Sequence, residues 1–245
     1  MIAWGFTDRG VVRAQNQDSF FLRVYHETNQ AIAAVCDGMG GARAGDIASK
    51  LAMDTFAHEV ERLIKPGMPQ KAIRRILARA AQLANGAVYK KASSGGFDLA
   101  GMGTTLVCAL VSGYRAVVLN VGDSRAYLAD ESGIARVTRD HSLVEDMMDK
   151  GDITLEEARC HPSRNLITRA LGTDPRVECD LFDLEMSPGD SLLLCSNGLT
   201  NVVDDNEILS EVLSGDTPES SCTELLRLAC ERGGPDNITV VIVSV

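Results

Sequence analysis

The feature that most limits the fold is a block of strand-like runs that follow one another with no helix between them. Residues 104–111, 116–121 and 126–128 are rich in β-branched and apolar side chains and are broken by glycines. Such direct succession favours antiparallel pairing over the strand–helix alternation that builds a parallel sheet. Two helical stripes precede the block. Ile47, Leu51, Phe56, Val60 and Leu63 recur at the steps of one helix face, and Ile73, Ile76, Leu77, Ala80, Ala84 and Val88 do the same. Pro66, Gly67 and Pro69 punctuate the gap between them. A polar, helix-prone stretch then covers 143–159, and strands resume at 177–184 and 191–195. Two more amphipathic segments, around 208–213 and 225–230, precede a closing strand at 238–245. Each helix pair needs a sheet face to cover. The expected fold is α+β: a four-layer αββα sandwich of two antiparallel sheets flanked by helix pairs. No Pro/Gly/Ser-rich linker and no repeat interrupts 1–245, which reads as a single domain.

Composition narrows the partners. A formal charge of −10 repels phosphate backbones and anionic lipid, so neither nucleic acid nor membrane is an expected partner. No run approaches the ~18 apolar residues of a membrane helix, and residues 1–10 lack the basic start and apolar stretch of a signal peptide. The seven cysteines are odd in number and form no C-x-x-C pair, which fits reduced thiols better than a disulfide or zinc framework. A soluble, cytoplasmic monomer is the expectation.

Several acids stand beside glycine or proline at the ends of apolar runs: Asp37 in VCDGMGG, Asp123 in NVGDSRAY and Asp236 in GGPDNITV. Asn197, in LLLCSNGLT, occupies the same kind of place. Carboxylates emerging from strand ends into one cleft would supply the hard oxygen donors that Mg²⁺ and Mn²⁺ prefer. Taken singly, each is an ordinary turn. The glycine-rich DGMGG lacks the Lys-Ser/Thr of a phosphate-cradling P-loop. Cys36 and Cys195 adjoin these positions, but each ends an apolar run and reads as packing.

The ordered set changes the weight of each part. FTDRGVVRAQNQDSF, VCDGMGGARAGDIAS, GMGTTLVCALV, NVGDSRAYL, TRDHSLV, HPSRNLITRALG, LLLCSNGLT and GGPDNITVVIV occur in this order and span 6–243. Together they closely resemble the motifs of the type 2C (PPM) metal-dependent serine/threonine protein phosphatases, with Met39 resembling the bacterial branch. The resemblance implies the same αββα fold and hydrolysis of phosphoserine and phosphothreonine in proteins, opposing a serine/threonine kinase. It implies two bridged Mn²⁺ or Mg²⁺ ions sharing a hydroxide, with Asp37 bridging them, the Gly38 carbonyl on one and Asp236 on the other. Asp18 matches a position that acts through metal-bound water. Asp123 matches a ligand of a third, weaker site, and Arg13 the arginine that holds the substrate phosphate. The segment 140–171 matches the family's flap, which borders the cleft. Thr138, His141 and His161 lie in or beside it and read as mainly structural, with substrate contact or proton donation the alternative.

The match departs at one place. Asn197 stands where the family pattern has an aspartate that ligates metal. An amide oxygen can still coordinate, but the formal charge is gone. A unit charge pair at ~4 Å and an effective dielectric near 20 is worth roughly 4 kcal/mol before solvation offsets it. Weaker metal binding, by about tenfold to a thousandfold, and weaker activity are the expectation. Three origins fit: an introduced Asp→Asn change, which is favoured, a natural enzyme with altered metal occupancy, or a pseudophosphatase acting as a non-catalytic binding module. The presence of Arg13, Asp18, Asp37, Asp123 and Asp236 argues for catalysis.

Overall fold

The strand runs pair as their succession requires. The computed structural model describes residues 1–41, 44–96, 99 and 101–245. One sheet is ordered β1 (Ile2–Asp8), β11 (Ile238–Ser244), β10 (Ser191–Cys195), β7 (Arg125–Asp130) and β8 (Gly133–Arg136). The other is ordered β2 (Asp18–Tyr25), β3 (Gln30–Met39), β5 (Leu106–Ser112), β6 (Arg115–Val121) and β9 (Asp180–Glu185), with β4 (Gly103–Thr104) pairing the end of β3. Every pairing is antiparallel.

Three buried layers fill the spaces between elements. In β3, Ala31, Ala33 and Val35 face the opposite sheet with Val107, Ala109, Leu192, Leu194 and Val241, while Ile32, Ala34 and Cys36 face the helices. Burial on both faces explains why β3 reads as a continuous apolar run with no alternation. Helices α1 (Ala44–Leu63) and α2 (Gln70–Ser94) bury Phe56, Val60, Ile73, Leu77 and Val88 against the second sheet. Helices α6 (Asp205–Ser214) and α7 (Pro218–Glu231) bury Ile208, Cys222 and Leu225 against Tyr127, Leu193 and Val240 of the first. Each of these two helices opens with a capping box, Asp204 with Glu207 and Thr217 with Ser220, the second followed by Pro218 in its first turn. This is the expected αββα arrangement.

One local reading is refined and one differs. The helix-prone stretch 143–159 is two short helices, α3 (Leu143–Asp149) and α4 (Leu155–Cys160). Gly151 takes φ +76° between them, and a Thr154–Glu157 capping box starts the second. The strand expected at 177–184 begins only at Asp180; Val177 and Cys179 pack on the helix-side core ahead of it. All seven cysteines are free, with Cys36, Cys108, Cys195 and Cys222 buried and Cys160 exposed. No helix among the described residues is long and apolar enough to cross a membrane.

Candidate metal centre

One end of the sandwich gathers the acids. Asp18 opens β2 and lies in register with Asp37 on β3. Asp123 sits in the turn from β6 to β7, Asn197 begins the short helix α5 (Asn197–Thr200) directly after β10, and Asp236 precedes β11. Strand ends from both sheets thus meet. Arg13, Asp37, Gly38, Asp123, Asn197 and Asp236 line one cleft of about 510 Å³. Asp18 is buried beside it, only 5% exposed.

Backbone geometry holds these groups in place. The Asp37 N–H donates to Thr105 Oγ1 at 2.9 Å, and its carbonyl accepts from Thr105 N at 2.9 Å and Thr104 Oγ1 at 2.8 Å. A Cβ at Gly38 would lie 2.1 Å from the Gly45 carbonyl oxygen and 2.6 Å from that of Gln17, so only glycine fits. The hydroxyls of Ser196 and Thr239 each donate to Asp18 Oδ2 at 2.7 Å. Asn237 ties the loop after β1: its Nδ2 donates to the Arg9 and Gln15 carbonyls at 2.9 Å, and its Oδ1 accepts from Gln17 N at 2.8 Å. That loop presents Arg13, whose guanidinium pairs with Asp236 at 2.8 Å. Asn197 Nδ2 donates to Asp123 Oδ2 at 3.0 Å.

The donor set suits hard cations. Among the described residues, four buried side-chain atoms lack any hydrogen-bond partner, and three of them are Asp18 Oδ1, Asp123 Oδ1 and Asn197 Oδ1. Buried polar atoms are rarely left so unless something else satisfies them. Among the described residues no three His, Cys, Asp or Glu side chains converge closely enough to hold an ion alone. Ions here would therefore be held by one or two carboxylates, completed by the Gly38 carbonyl, the Asn197 amide oxygen and water, the habit of Mg²⁺.

Electrostatics agree. Burial, then the neighbouring carboxylates of Asp18, Asp123 and Asp236, hold the Asp37 carboxyl well above its ordinary range. Burial raises Asp18 from 3.8 to about 6, against the lowering effect of the Thr239 and Ser196 hydroxyls. Asp123 is raised by burial too, against the hydrogen bond from Asn197. A carboxyl whose pKa is higher in the folded than in the unfolded state stabilises most below its unfolded pKa, and that contribution is lost as pH rises through the folded value. Chelator-stripped protein should therefore lose thermal stability between about pH 4 and pH 6, and added Mn²⁺ should suppress the loss. A melting temperature of the stripped protein that rises across this window would contradict it.

The segment 140–171 reaches the cleft through Asn165 and Ile167. The residues singled out there by sequence serve elsewhere. His141 is buried; its Nδ1 accepts from Gly122 N at 3.0 Å and its Nε2 lies 3.2 Å from Asp180 Oδ2, bracing the turn that carries Asp123. Thr138 Oγ1 accepts from Ala126 N at 3.0 Å, and His161 Nδ1 from Ser163 N at 3.1 Å. Cys36 and Cys195 are fully buried, with burial pushing Cys195 up to about 12, in keeping with packing roles. Sequence reasoning overlooked Thr105, Ser196, Asn237 and Thr239. Each lies inside a quoted motif, and their polar type at strand ends was the available signal.

Known proteins are similar to this chain over nearly its whole length. The family model described as Protein phosphatase 2C matches residues 11–215. The serine/threonine phosphatase stp of Listeria monocytogenes is 39% identical over 237 residues, covering 97% of this chain and 93% of that one. The crystal structure of serine/threonine phosphatase Stp1 from Staphylococcus aureus superposes with a TM-score of 0.91 at 39% identity, over 100% of this chain and 95% of the other. A catalytic domain of serine threonine protein phosphatase PstP in complex with 2 manganese ions superposes with a TM-score of 0.85 at 37% identity, over 99% and 96%.

Proposed function

This chain belongs to the protein phosphatase 2C family, and we propose that it hydrolyses phosphoserine and phosphothreonine in proteins at the cleft that gathers Arg13, Asp37 and Asp236. The observation that carries this reading is the cluster of partnerless buried oxygens on Asp18, Asp123 and Asn197 beside an exposed arginine. Asp37, Gly38, Asp123, Asn197 and Asp236 are the groups that would hold Mn²⁺ or Mg²⁺. Cations bound there would neutralise phosphoryl charge and make a water more acidic.

The chain's own residues do the rest. Arg13, half-exposed at the cleft mouth, offers a planar fork to two phosphoryl oxygens in exchange for its bond to Asp236. Asp18 Oδ2 is fixed by two hydroxyls, which leaves Oδ1 to accept a proton from a water in the site. Asn165 and Ile167 bring 140–171 to the cleft, where that segment would meet the substrate chain. In this reading 1–245 acts as one cytoplasmic catalytic domain opposing a serine/threonine kinase.

A phosphothreonine peptide with titrated Mn²⁺ tests it. Turnover that requires Mn²⁺ is the expected result. Arg13→Ala should raise KM by roughly tenfold to a hundredfold, the worth of a charge-assisted bond of about 1.5–3 kcal/mol, and leave the melting temperature nearly unchanged. The Asn197–Asp123 hydrogen bond favours a second reading, a non-catalytic module that binds phosphoproteins. Absence of peptide hydrolysis at saturating Mn²⁺ would establish that reading in place of the first.

A further inference from the structure

At the junction of β10 and α5 the amide of Asn197 faces the carboxylate of Asp123, and its Nδ2 donates to Oδ2 at 3.0 Å. A carboxylate only accepts, so the nitrogen is the end of the amide that must face it. Asp123 is more than nine-tenths buried at 8% exposed, and among the described residues its other oxygen has no partner. Neither group is placed to retreat. Ser196 N donates to the Thr239 carbonyl at 3.0 Å and Asn201 N to that of Asn197 at 2.9 Å, which fixes the backbone on either side. A Cβ at Gly198 would lie 1.9 Å from the Asn237 carbonyl oxygen, so α5 already sits as close to that loop as a backbone can. Asp123 approaches from the opposite side, on a turn held by His141 through paired backbone and ring contacts to Gly122.

Two carboxylates at this separation, out of water, cannot both stay ionised unless a cation lies between them. An amide and a carboxylate can, because the N–H supplies the positive end of the interaction without an ion. We propose that the Asn197 Nδ2–H takes the place of a divalent cation between side chains 123 and 197, so that this chain completes its acidic site with one ion fewer than it would need with aspartate at 197. Oδ1 of Asp123 and of Asn197 are left to face the ions that remain. The inference rests on the metal-dependent reading above and deepens it. It also turns a missing charge into a positive device: the bond holds the Asp123 side of the cleft together before any metal arrives.

Counting bound Mn²⁺ by equilibrium dialysis and electron paramagnetic resonance, without substrate, tests this on the whole chain. Asn197→Asp should bind one additional Mn²⁺ per chain, and its metal-free form should melt about 5 °C lower than the parent. The exchanged pair, Asn197→Asp with Asp123→Asn, again sets one amide against one carboxylate and should return both readings to the parent's values. Equal, non-zero counts in the parent and Asn197→Asp overturn the inference and leave the phosphatase reading intact. So does an exchanged pair that keeps the additional ion. Failure of both proteins to bind Mn²⁺ overturns the metal-dependent reading and the inference with it.

Discussion

Asp37→Asn should abolish Mn²⁺-dependent hydrolysis while making the metal-free protein more stable. The two effects have one origin. In the folded chain burial penalises the charge of Asp37, and the surrounding carboxylates of Asp18, Asp123 and Asp236 add to that cost. Replacing it by an isosteric amide relieves that repulsion when no cation is bound. The same change removes the carboxylate that lies among those of Asp18, Asp123 and Asp236, so the loss of activity should be on the order of a thousandfold, at the upper end for a single electrostatic group in an active site. The check is a pair of melting curves, chelated and Mn²⁺-loaded, beside a peptide assay. The reading fails if the metal-free variant melts below the parent, because a merely structural Asp37 would behave in that way. It also fails if Mn²⁺ stabilises the variant as strongly as the parent.

Asp140→Ala should produce the largest loss of stability of any single change considered. Arg125 Nε donates to both Asp140 oxygens at 3.0 Å and its NH2 to Oδ2 at 2.6 Å, and Arg136 lies 3.8 Å away on the other side. Arg125 also reaches the Tyr127 hydroxyl at 3.2 Å, which in turn donates to Asp205 at 3.1 Å on α6. The pair thus joins β7 to the start of 140–171 and, through Tyr127, to the outer helix layer. Removing one partner of such a buried pair costs about 3–5 kcal/mol, since the remaining charge is stranded. Arg125 keeps about a quarter of its side chain in water, which places the loss toward the lower figure. A fall in melting temperature of about 10 °C follows for a chain of this size. Arg125→Met combined with Asp140→Leu should recover most of it, because no unpaired charge is left. A single-variant loss below about 1 kcal/mol in urea would mean that water reaches the pair and screens it.

Much of the fold was legible because its periodicities are strong. The stripe Ile73–Ile76–Leu77–Ala80–Ala84–Val88 is buried in full, as a helix laid on a sheet demands. Asp37, Asp123 and Asp236 were legible because each interrupts an apolar run at a glycine or proline, whereas Asp18 was reached only through the family resemblance. What escaped was pairing across distance. Ser196 and Thr239 are unremarkable in sequence, and only the joining of β10 and β11 to β2 at one edge of the cleft brings their hydroxyls onto Asp18, 178 and 221 residues away. Asn237 escaped for the same reason: its three bonds run to the loop more than 200 residues earlier. Residue 197 shows the limit most plainly. Its departure from the family pattern could be read as a lost charge, but the partner that accepts its amide proton lies 74 residues upstream. The helix-prone stretch 143–159 is helical in two pieces, and its division has a local cause, a glycine in the left-handed region followed by a fresh capping box.

The place of β11 has a consequence for synthesis. It is the last strand within 1–245, yet it lies inside its sheet, between β1 and β10. While the chain emerges from the ribosome, β1 has no neighbour on its own sheet, and Asp236 and Asn237 do not yet exist to take up Arg13 and the loop behind it. Pairings of this separation close late and slowly. The first half of 1–245 can collapse around α1 and α2 before then, but the cleft lacks Asp236 and Asn237 until β11 is in place, so a translating chain completes this centre only once those residues have been made.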